Sequence, residues 1–334
     1  MISLAGTASY FPERVVENSF FQAEGTRPGR GMFKGSRTRH HVDPEQTAPE
    51  MIERAATRLL EQLNLSAAAD IDLILTNVSC LDMPFTGSGA VVAHRLGANP
   101  KLILDVHNSG CVSFVYMMEL ARSLMQATGA RTALICNVQN AAGRVFSHPD
   151  NRVRPQSAVP GDGCGVGLLT TSGESPVTGI VTHSHGAYAE DMQVVSDDGK
   201  KWWEPRTTPL YINFNPERVA KVVARGNTLV PDVVRESCAA AGVPVSALKH
   251  LITNQPSPIF LRNWREALLM SEAQHINTYE EHGNLFGAAI PVSFERGLDT
   301  GRIQKGDHVA LGGFSHAGDY SAAAVVHWQG GVGV

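Results

Sequence analysis

The chain repeats one order of predicted elements along its 334 residues. Short apolar runs of strand length alternate with amphipathic helical stretches, a pattern that predicts an α/β fold with buried parallel strands. In the first half the strand runs are 71–77, 102–106, 131–136 and 163–169, and the helices are 51–65 and 112–126. In the second half the strand runs are 249–254 and 308–314, and the helices are 216–242 and 284–297. We therefore expect two similar α/β halves packed face to face, residues 1–175 and 176–334, with the boundary in a Ser/Gly/Pro-rich stretch at 172–179.

The composition restricts the classes of function. Hydrophobic residues make up 43% of the chain and charged residues 18%, which allows a sizeable buried core. A net charge of −4 without a basic block argues against nucleic acid as a partner. No apolar run approaches the roughly 18 residues of a membrane span, and we expect no signal peptide. Five cysteines without a CxxC spacing predict neither a disulfide framework nor a metal site. These features favour a cytoplasmic enzyme.

Cys111 stands where a predicted strand turns into a predicted helix. A tight Ser109-Gly110 turn precedes it, and the helix start offers free backbone N–H groups with a positive partial charge. Both effects favour a thiolate and lower its pKa, and the same N–H groups can bind an oxyanion. The alternative is a buried structural cysteine, which is the expectation for Cys136 and Cys164 in their predicted strands.

The residues around this cysteine resemble those of a known family. Asn108-Ser109-Gly110-Cys111, followed by Ser113-Phe114-Val115-Tyr116, is similar to the nucleophile elbow of ketosynthase III enzymes, a branch of the thiolase superfamily. Segments 36–40, 83–88, 160–167 and 282–291 resemble further motifs of that family in the same order. The resemblance implies a thiolase fold, a homodimer and Cys111 as the nucleophile. It also implies an acyl donor carried as a thioester on coenzyme A or on the phosphopantetheine arm of acyl carrier protein, without a permanently bound cofactor.

Two arginines correspond to places where the family contacts its donor. Arg37 and Arg152 match positions that approach the nucleotide end of coenzyme A or the carrier protein. A guanidinium suits phosphate because its charge is permanent and its donors form a planar fork. The alternative for each is a solvated surface arginine.

The chain departs from the family pattern at one catalytic position. Decarboxylating members use Cys, His and Asn, and the run Asn254-Gln255-Pro256-Ser257 places Asn254 where the histidine belongs. Asn284 matches the family asparagine. Two amides can still hold a thioester carbonyl, but an amide cannot act as a base near neutral pH. A hydroxyl or amine acceptor therefore requires a base from elsewhere in the chain.

Three residues are candidates for that base. His316 and Asp319 lie in the run that matches the Gly-rich C-terminal loop of the family, and His282 precedes Asn284 by two positions. Ester-forming relatives use a Cys–His–Asp set with a late aspartate, although their histidine corresponds to a position near Asn284. The structural alternatives are a packing role for His282 and a capping or turn role for Asp319.

These residues lead to a functional hypothesis with two rivals. We expect an acyltransferase that passes an acyl group through Cys111 to a hydroxyl, amine or thiol acceptor, in a bacterial natural-product pathway. The rivals are a decarboxylating 3-oxoacyl synthase and a catalytically eroded partner subunit of a thiolase-like heterodimer. The segment 186–213, with its Trp202-Trp203 pair, is either a surface hairpin or a cap over the substrate site.

Overall fold

The computed structural model describes residues 1–21, 31–107, 109–213 and 216–331. The first half contains β1 (Ile2–Tyr10), β2 (Arg14–Glu17), β3 (Thr38–His41), α1 (Ala48–Leu63), α2 (Ala67–Asp70), β4 (Leu73–Val78), α3 (Gly89–Leu96), β5 (Leu102–Asp105), α4 (Ser113–Thr128), β6 (Thr132–Gln139), α5 (Pro149–Arg152) and β7 (Gly163–Thr170). The second contains β8 (Pro176–Ser184), β9 (Gln193–Val195), β10 (Tyr211–Asn213), α6 (Pro216–Ala241), β11 (His250–Thr253), α7 (Pro258–Ala267), β12 (His275–Ile276), α8 (Tyr279–His282), α9 (Ala289–Asp299), β13 (His308–Ser315) and β14 (Tyr320–His327).

Ten strands form one mixed sheet in the order β12-β11-β13-β14-β8-β1-β7-β6-β4-β5. Read outward from the contact between β1 and β8, both halves place their strands in the same order, which confirms a fold of two similar α/β halves. The expectation of parallel strands is wrong for the middle of the sheet, because β7 and β14 run antiparallel to their neighbours. The turn between β13 and β14 is too short for the crossover that parallel strands require. The division into 1–175 and 176–334 stays a proposal, with β8 beginning at Pro176.

Helices and sheet alternate in layers. The two central helices α4 and α9 lie between the strands of the two halves, where Phe114 and Phe294 are fully buried in one continuous apolar core. Helices α1 and α3 cover the outer face of the first half, and α6 and α7 cover the outer face of the second. Each strand layer is therefore buried on both faces, which explains the continuous apolar runs in the sequence.

Local sequence determines where the helices begin and end. The hydroxyl of Thr47 caps α1 by accepting from the backbone N–H of Glu50, and Asn64 ends the helix in a left-handed conformation. Helix α4 begins at Ser113, directly after a 3-10 turn that contains Cys111, so its start lies within one residue of the prediction. The predicted start of the later helix at residue 284 is wrong, because α9 begins at Ala289. Asn284 is not helical because its backbone N–H donates to the carbonyl of Val159 (2.9 Å), in an isolated bridge.

Candidate active site

Cys111 lies in a tight elbow between β5 and α4. Ser109 (φ 63°) and Gly110 (φ 33°) turn the chain, and Cys111 sits in the 3-10 turn that leads into the helix. Ser315, at the end of β13, joins this elbow to the second half: its hydroxyl donates to the carbonyl of Ser109 and accepts from the N–H of Val112 at 3.1 Å. Asn108, part of the motif around the cysteine, lies outside the described residues.

The thiol of Cys111 faces an apolar cavity of about 340 Å³ that lies between the two halves. Desolvation raises its pKa to about 12, despite hydrogen bonds from the backbone N–H of His316, the side chain of Asn254 and its own N–H, all of which favour the thiolate. The expectation of a lowered pKa is therefore wrong, because burial outweighs the local effect of the turn. The two backbone N–H groups still form a pair of donors that can bind a thioester oxyanion.

His316 and Asp319 form a hydrogen-bonded pair at the edge of this cavity. Nδ1 of His316 lies 3.0 and 3.1 Å from the two carboxylate oxygens of the buried Asp319. A carboxylate can only accept, so in the neutral imidazole the proton sits on Nδ1 and Nε2 is left as an acceptor. Nε2 faces the elbow, because a Cβ built on Gly110 would lie only 2.7 Å from it. The pair therefore directs Nε2 of His316 toward the backbone that carries Cys111.

The two asparagines also line the cavity. Asn254 pairs with the backbone of β13: its Nδ2 donates to the carbonyl of Phe314 (2.9 Å) and its Oδ1 accepts from the N–H of the same residue (3.3 Å). The Oδ1 of Asn284 accepts from the N–H of Phe286 at 3.1 Å, which leaves its amide nitrogen for a ligand carbonyl. Neither side chain can take up a proton near neutral pH, so neither fits the role of a base.

His282 lies elsewhere. Its ring stacks on Phe11 with 3.9 Å between ring centroids, and it is not among the residues that line the cavity. Burial, followed by the nearby charges of His40 and Arg296, lowers its pKa to about 3. The structure therefore does not bring His282 to Cys111, and it matches the packing alternative.

Arg37 and Arg152 are both exposed and do not line the cavity. The backbone N–H of Arg37 donates to the carbonyl of Glu280, and the guanidinium of Arg152 lies over the ring of Phe20 at 5.2 Å. Both guanidinium groups keep most of their donors for solvent or a ligand. Met32 does line the cavity and stands five positions before Arg37, so the chain runs from the cavity wall toward this arginine.

Several contributors to the site escaped sequence reasoning. Ser315 carries no motif that distinguishes it from other serines, and its role follows only from the pairing of β13 with the elbow. The hairpin of β9 and β10 supplies Val194 and Ile212 to the cavity wall. In the sequence, the adjacent tryptophans 202 and 203 indicated that this segment packs on another part of the protein. The segment forms a hairpin that also covers one side of the cavity.

The described residues contain no cluster of three or more His, Cys, Asp or Glu side chains placed to hold a metal ion. Among the helices within the described ranges, none is both long enough and apolar enough to cross a membrane.

Fold and site together define a thiolase-like enzyme of the acyl-transfer and condensing class. Residues 104–187 match the family model for 3-oxoacyl-[acyl-carrier-protein] synthase III, and residues 238–328 match the model for the C-terminal part of the same family. The two matches together cover more than half of the chain. It therefore belongs to the ketosynthase III branch of the thiolase superfamily.

Individual relatives agree with this placement. The chain is 26% identical over 328 residues to beta-ketoacyl-[acyl-carrier-protein] synthase III of Alkalilimnicola ehrlichii, covering 96% of this chain and 98% of that one. The corresponding protein of Thioalkalivibrio sulfidiphilus is also 26% identical, covering 93% and 94%. Among solved structures, 3-oxoacyl-(acyl carrier protein) synthase III of Pseudomonas aeruginosa superposes with a TM-score of 0.83 at 23% identity over 99% of both chains. OleA of Xanthomonas campestris gives 0.78 at 17% over 98% of both. At these identities the structural matches establish the fold alone.

Proposed function

We propose that this enzyme transfers an acyl group from a thioester, through Cys111, to a hydroxyl, amine or thiol acceptor. The observation that carries the proposal is the His316–Asp319 pair facing the elbow while Asn254 occupies the position of the family histidine. An imidazole held by a carboxylate can take a proton from a thiol or an alcohol, which an amide cannot. In this proposal the base is His316, in the turn after β13, and not a histidine at position 254 at the end of β11.

The first half-reaction loads the enzyme. As the sulfur of Cys111 attacks the thioester carbonyl, its proton passes to Nε2 of His316. This proton transfer is needed because the thiol has a pKa of about 12 and is therefore protonated near neutral pH. The N–H groups of Cys111 and His316 hold the oxyanion. The intermediate collapses when its bond to the carrier sulfur breaks, and the carrier leaves as a thiol with the proton from His316. The acyl group remains on Cys111.

In the second half-reaction the same imidazole again first takes a proton from the attacking group and then gives it to the leaving group. Nε2 of His316 removes the proton of the acceptor as the acceptor oxygen, nitrogen or sulfur attacks the acyl-enzyme carbonyl. The bond to Cys111 then breaks, and the cysteine sulfur regains the proton from His316. Asp319 keeps the proton on Nδ1 and stabilises the imidazolium at each step. Atoms, charge and protons balance without another reactant.

The donor is proposed from the relatives and from the two arginines. The relatives are named as synthases that act with acyl carrier protein. Arg37 and Arg152, exposed outside the cavity, fit a coenzyme A nucleotide or an acidic carrier-protein surface. We propose either carrier as the donor and no permanently bound cofactor. A role in bacterial natural-product biosynthesis stays a prediction.

The edge of the sheet supports a homodimer. Within the described part of the chain, β5 pairs with β4 alone and forms one end of the ten-stranded sheet. Leu102 of this strand is exposed, and an exposed edge strand is a template for pairing with another copy. Sedimentation equilibrium tests this directly, and a monomer across the micromolar range contradicts it.

Decarboxylative condensation is the second candidate, favoured by the names of the relatives. It differs in needing an enolate from a malonyl thioester. Only amides, Asn254 and Asn284, occupy the positions that the family uses for this step. The imidazole of His316 approaches from the side of Gly110 instead.

Intact-mass measurement with a panel of acyl-CoA donors tests the proposal. We expect an acyl adduct on the wild type that is absent in Cys111→Ser. The control is Cys238→Ser, which removes a buried cysteine of α6 and should carry the same adduct as the wild type. Carbon dioxide release from malonyl-CoA is measured in parallel. Absence of every adduct favours a catalytically inactive subunit. Rapid release of carbon dioxide that depends on Cys111 favours the synthase.

A further inference from the structure

A buried polar cluster lies directly behind the elbow of Cys111. It consists of Asn77 near the end of β4, Ser113 at the start of α4 and Asn137 in β6. Ser113 and Asn137 have no exposed surface and Asn77 is 8% exposed, although most side chains between these elements are apolar. Buried polar groups cost free energy unless they are hydrogen-bonded, so three of them together at this place require an explanation.

The hydroxyl of Ser113 stands at the centre of the cluster. Its oxygen accepts from Nδ2 of Asn137 at 2.5 Å. A hydroxyl has one proton to donate, and two acceptors are within reach, the carbonyl of Gly110 at 2.7 Å and Oδ1 of Asn77 at 3.0 Å. The shorter distance directs the proton at the carbonyl of Gly110, and the hydrogen bond from Asn137 strengthens this contact by polarising the hydroxyl.

Asn77 connects the cluster to the chain on the other side of the elbow. Its Nδ2 donates at 2.7 Å to the carbonyl of Val106, the first residue after β5, which turns its Oδ1 toward Ser113. The two asparagines come from β4 and β6, which are neighbours in the sheet. The elbow is therefore held by rigid strands both before and after its turn.

The carbonyl held by Ser113 belongs to the same peptide unit as the N–H of Cys111. The atoms of a peptide unit lie close to one plane, so the direction of the Gly110 carbonyl fixes the direction of the Cys111 N–H. This N–H already faces the reacting sulfur, since it favours the thiolate of Cys111. A carbonyl that accepts a hydrogen bond also makes the N–H of its own peptide a stronger donor.

We propose that Ser113 is a positioning residue. Together with Asn77 and Asn137 it holds the peptide between Gly110 and Cys111, so that the N–H of Cys111 points at the oxyanion of the tetrahedral intermediate. The inference rests on the proposed acyl transfer and adds to it a set of residues that act from behind the nucleophile.

The backbone of Gly287 closes the cluster from the second half of the chain. A Cβ at this position would collide with the hydroxyl oxygen of Ser113 and would lie 2.6 Å from Nδ2 of Asn137 and 2.8 Å from the carbonyl oxygen of Gly110. A glycine lets the chain approach this closely. Ser113 and Asn137 are not among the residues that line the cavity, so they act on the peptide and not on a substrate.

A purely local role of Ser113 at the helix start explains less. A serine in the first turn of a helix can bond to the carbonyl three residues earlier without any other partner. The backbone N–H of Ser113 already donates to the carbonyl of Gly110, so the turn does not depend on the hydroxyl. Asn137 donates to this serine from 24 positions away, although its Oδ1 then has no hydrogen bond within the described ranges. These additional contacts favour control of the peptide direction.

Nuclear magnetic resonance of the whole enzyme tests the contact without a substrate. Cell-free synthesis introduces glycine labelled with ¹³C at its carbonyl and cysteine labelled with ¹⁵N. The sequence contains two Gly-Cys steps, at 110–111 and 163–164, so a spectrum that correlates the two labels has two signals. Cys111→Ser removes one of them and thereby assigns both.

We expect Ser113→Ala to move the Gly110 carbonyl signal upfield, because its oxygen loses a hydrogen bond, and to leave the Gly163 signal in place. The matched control is Ser237→Ala, which removes a buried serine of α6 whose hydroxyl has no partner among the described residues, and it should move neither signal. A Gly110 signal that stays in place in Ser113→Ala overturns the inference.

The acyl-enzyme reports whether the peptide acts on the oxyanion. With acetyl-CoA and octanoyl-CoA labelled with ¹³C at the thioester carbonyl, infrared difference spectra give the stretching frequency of the acyl carbonyl on Cys111. Ser113→Ala should raise this frequency and slow acyl loading about tenfold, which is less than the loss of a whole oxyanion donor, because the N–H of Ser113 still holds Gly110. Ser237→Ala should match the wild type in both measurements.

These measurements separate a positioning role from a structural one. A lower melting temperature of Ser113→Ala with an unchanged carbonyl frequency would show that Ser113 only stabilises the fold, and would overturn the inference. If Ser113→Ala does not fold, Asn137→Ala replaces it, with smaller changes expected in the same directions. If no donor loads Cys111 in the wild type, the proposed transfer is refuted, whereas the Gly110 signal still decides whether Ser113 holds this peptide.

Discussion

Replacing His316 by asparagine separates the proposed base from the rest of the site. His316 has a left-handed backbone (φ 48°), a conformation that asparagine tolerates better than other residues, so His316→Asn leaves the turn intact. The new amide can bond to Asp319 but cannot take up a proton. With a Cys111 pKa of about 12, about one thiol in 10⁵ is ionised at pH 7. General-base assistance contributes about 10²–10⁴, and the variant should lose that factor in the rate of acyl loading at pH 7.

The pH profile of loading provides the discriminating measurement. Without a base, the rate depends on thiolate made by the solvent, so it should rise about tenfold for each pH unit between 7 and 10, still below the pKa of Cys111. Rapid-quench intact-mass measurement follows the acyl-enzyme, and His94→Ala, on the exposed face of α3, is the control. A His316→Asn variant that loads at the wild-type rate with the wild-type profile would refute the role of His316, and thermal denaturation checks that the variant is folded.

Three further predictions concern the surroundings of the site. Gly110→Ala should reduce acyl loading strongly, because the new Cβ lies 2.7 Å from Nε2 of His316. The control is Gly97→Ala, also at positive φ but with open space around it, which should cost about 1 kcal/mol of stability and leave loading unchanged. Equal loading of both variants would contradict the contact between residue 110 and His316. His282→Phe should keep the stack on Phe11. His282 has a pKa of about 3 in the folded protein and near 6.5 in the unfolded chain, so the wild type loses stability as the pH falls below about 6.5. In urea titrations at pH 5, the free energy of unfolding of the variant should fall by about 2 kcal/mol less than that of the wild type. Parallel pH dependences of the two proteins would show that His282 is not held neutral. Arg152→Ala should raise KM for acyl-CoA with kcat unchanged. With a truncated pantetheine donor, which lacks the nucleotide, KM should not change. An equal effect on both donors would place this arginine away from the nucleotide.

Much of the architecture follows from local sequence. The apolar runs that became β4, β6 and β13 were predicted with ends within a few residues, because strands buried on both faces need continuous apolar sequence. Strand β14 has the same character but was not predicted, and its antiparallel pairing depends on the short turn that contains His316. Boundaries near the site were the least predictable part, since Asn284 is held out of α9 by a contact with Val159 far away in the chain.

For the site, the sequence by itself predicted Cys111 as the nucleophile and determined that Asn254 stands where the family has its histidine. The turn before Cys111 and the amide at Asn254 are local features, readable without coordinates. Tertiary structure alone decided that His316, and not His282, faces the elbow, because Ser315 meets Ser109 across 206 positions of sequence. It also reversed the expected pKa of the thiol. Desolvation depends on everything packed around a group, whereas a turn contributes only its nearest N–H donors.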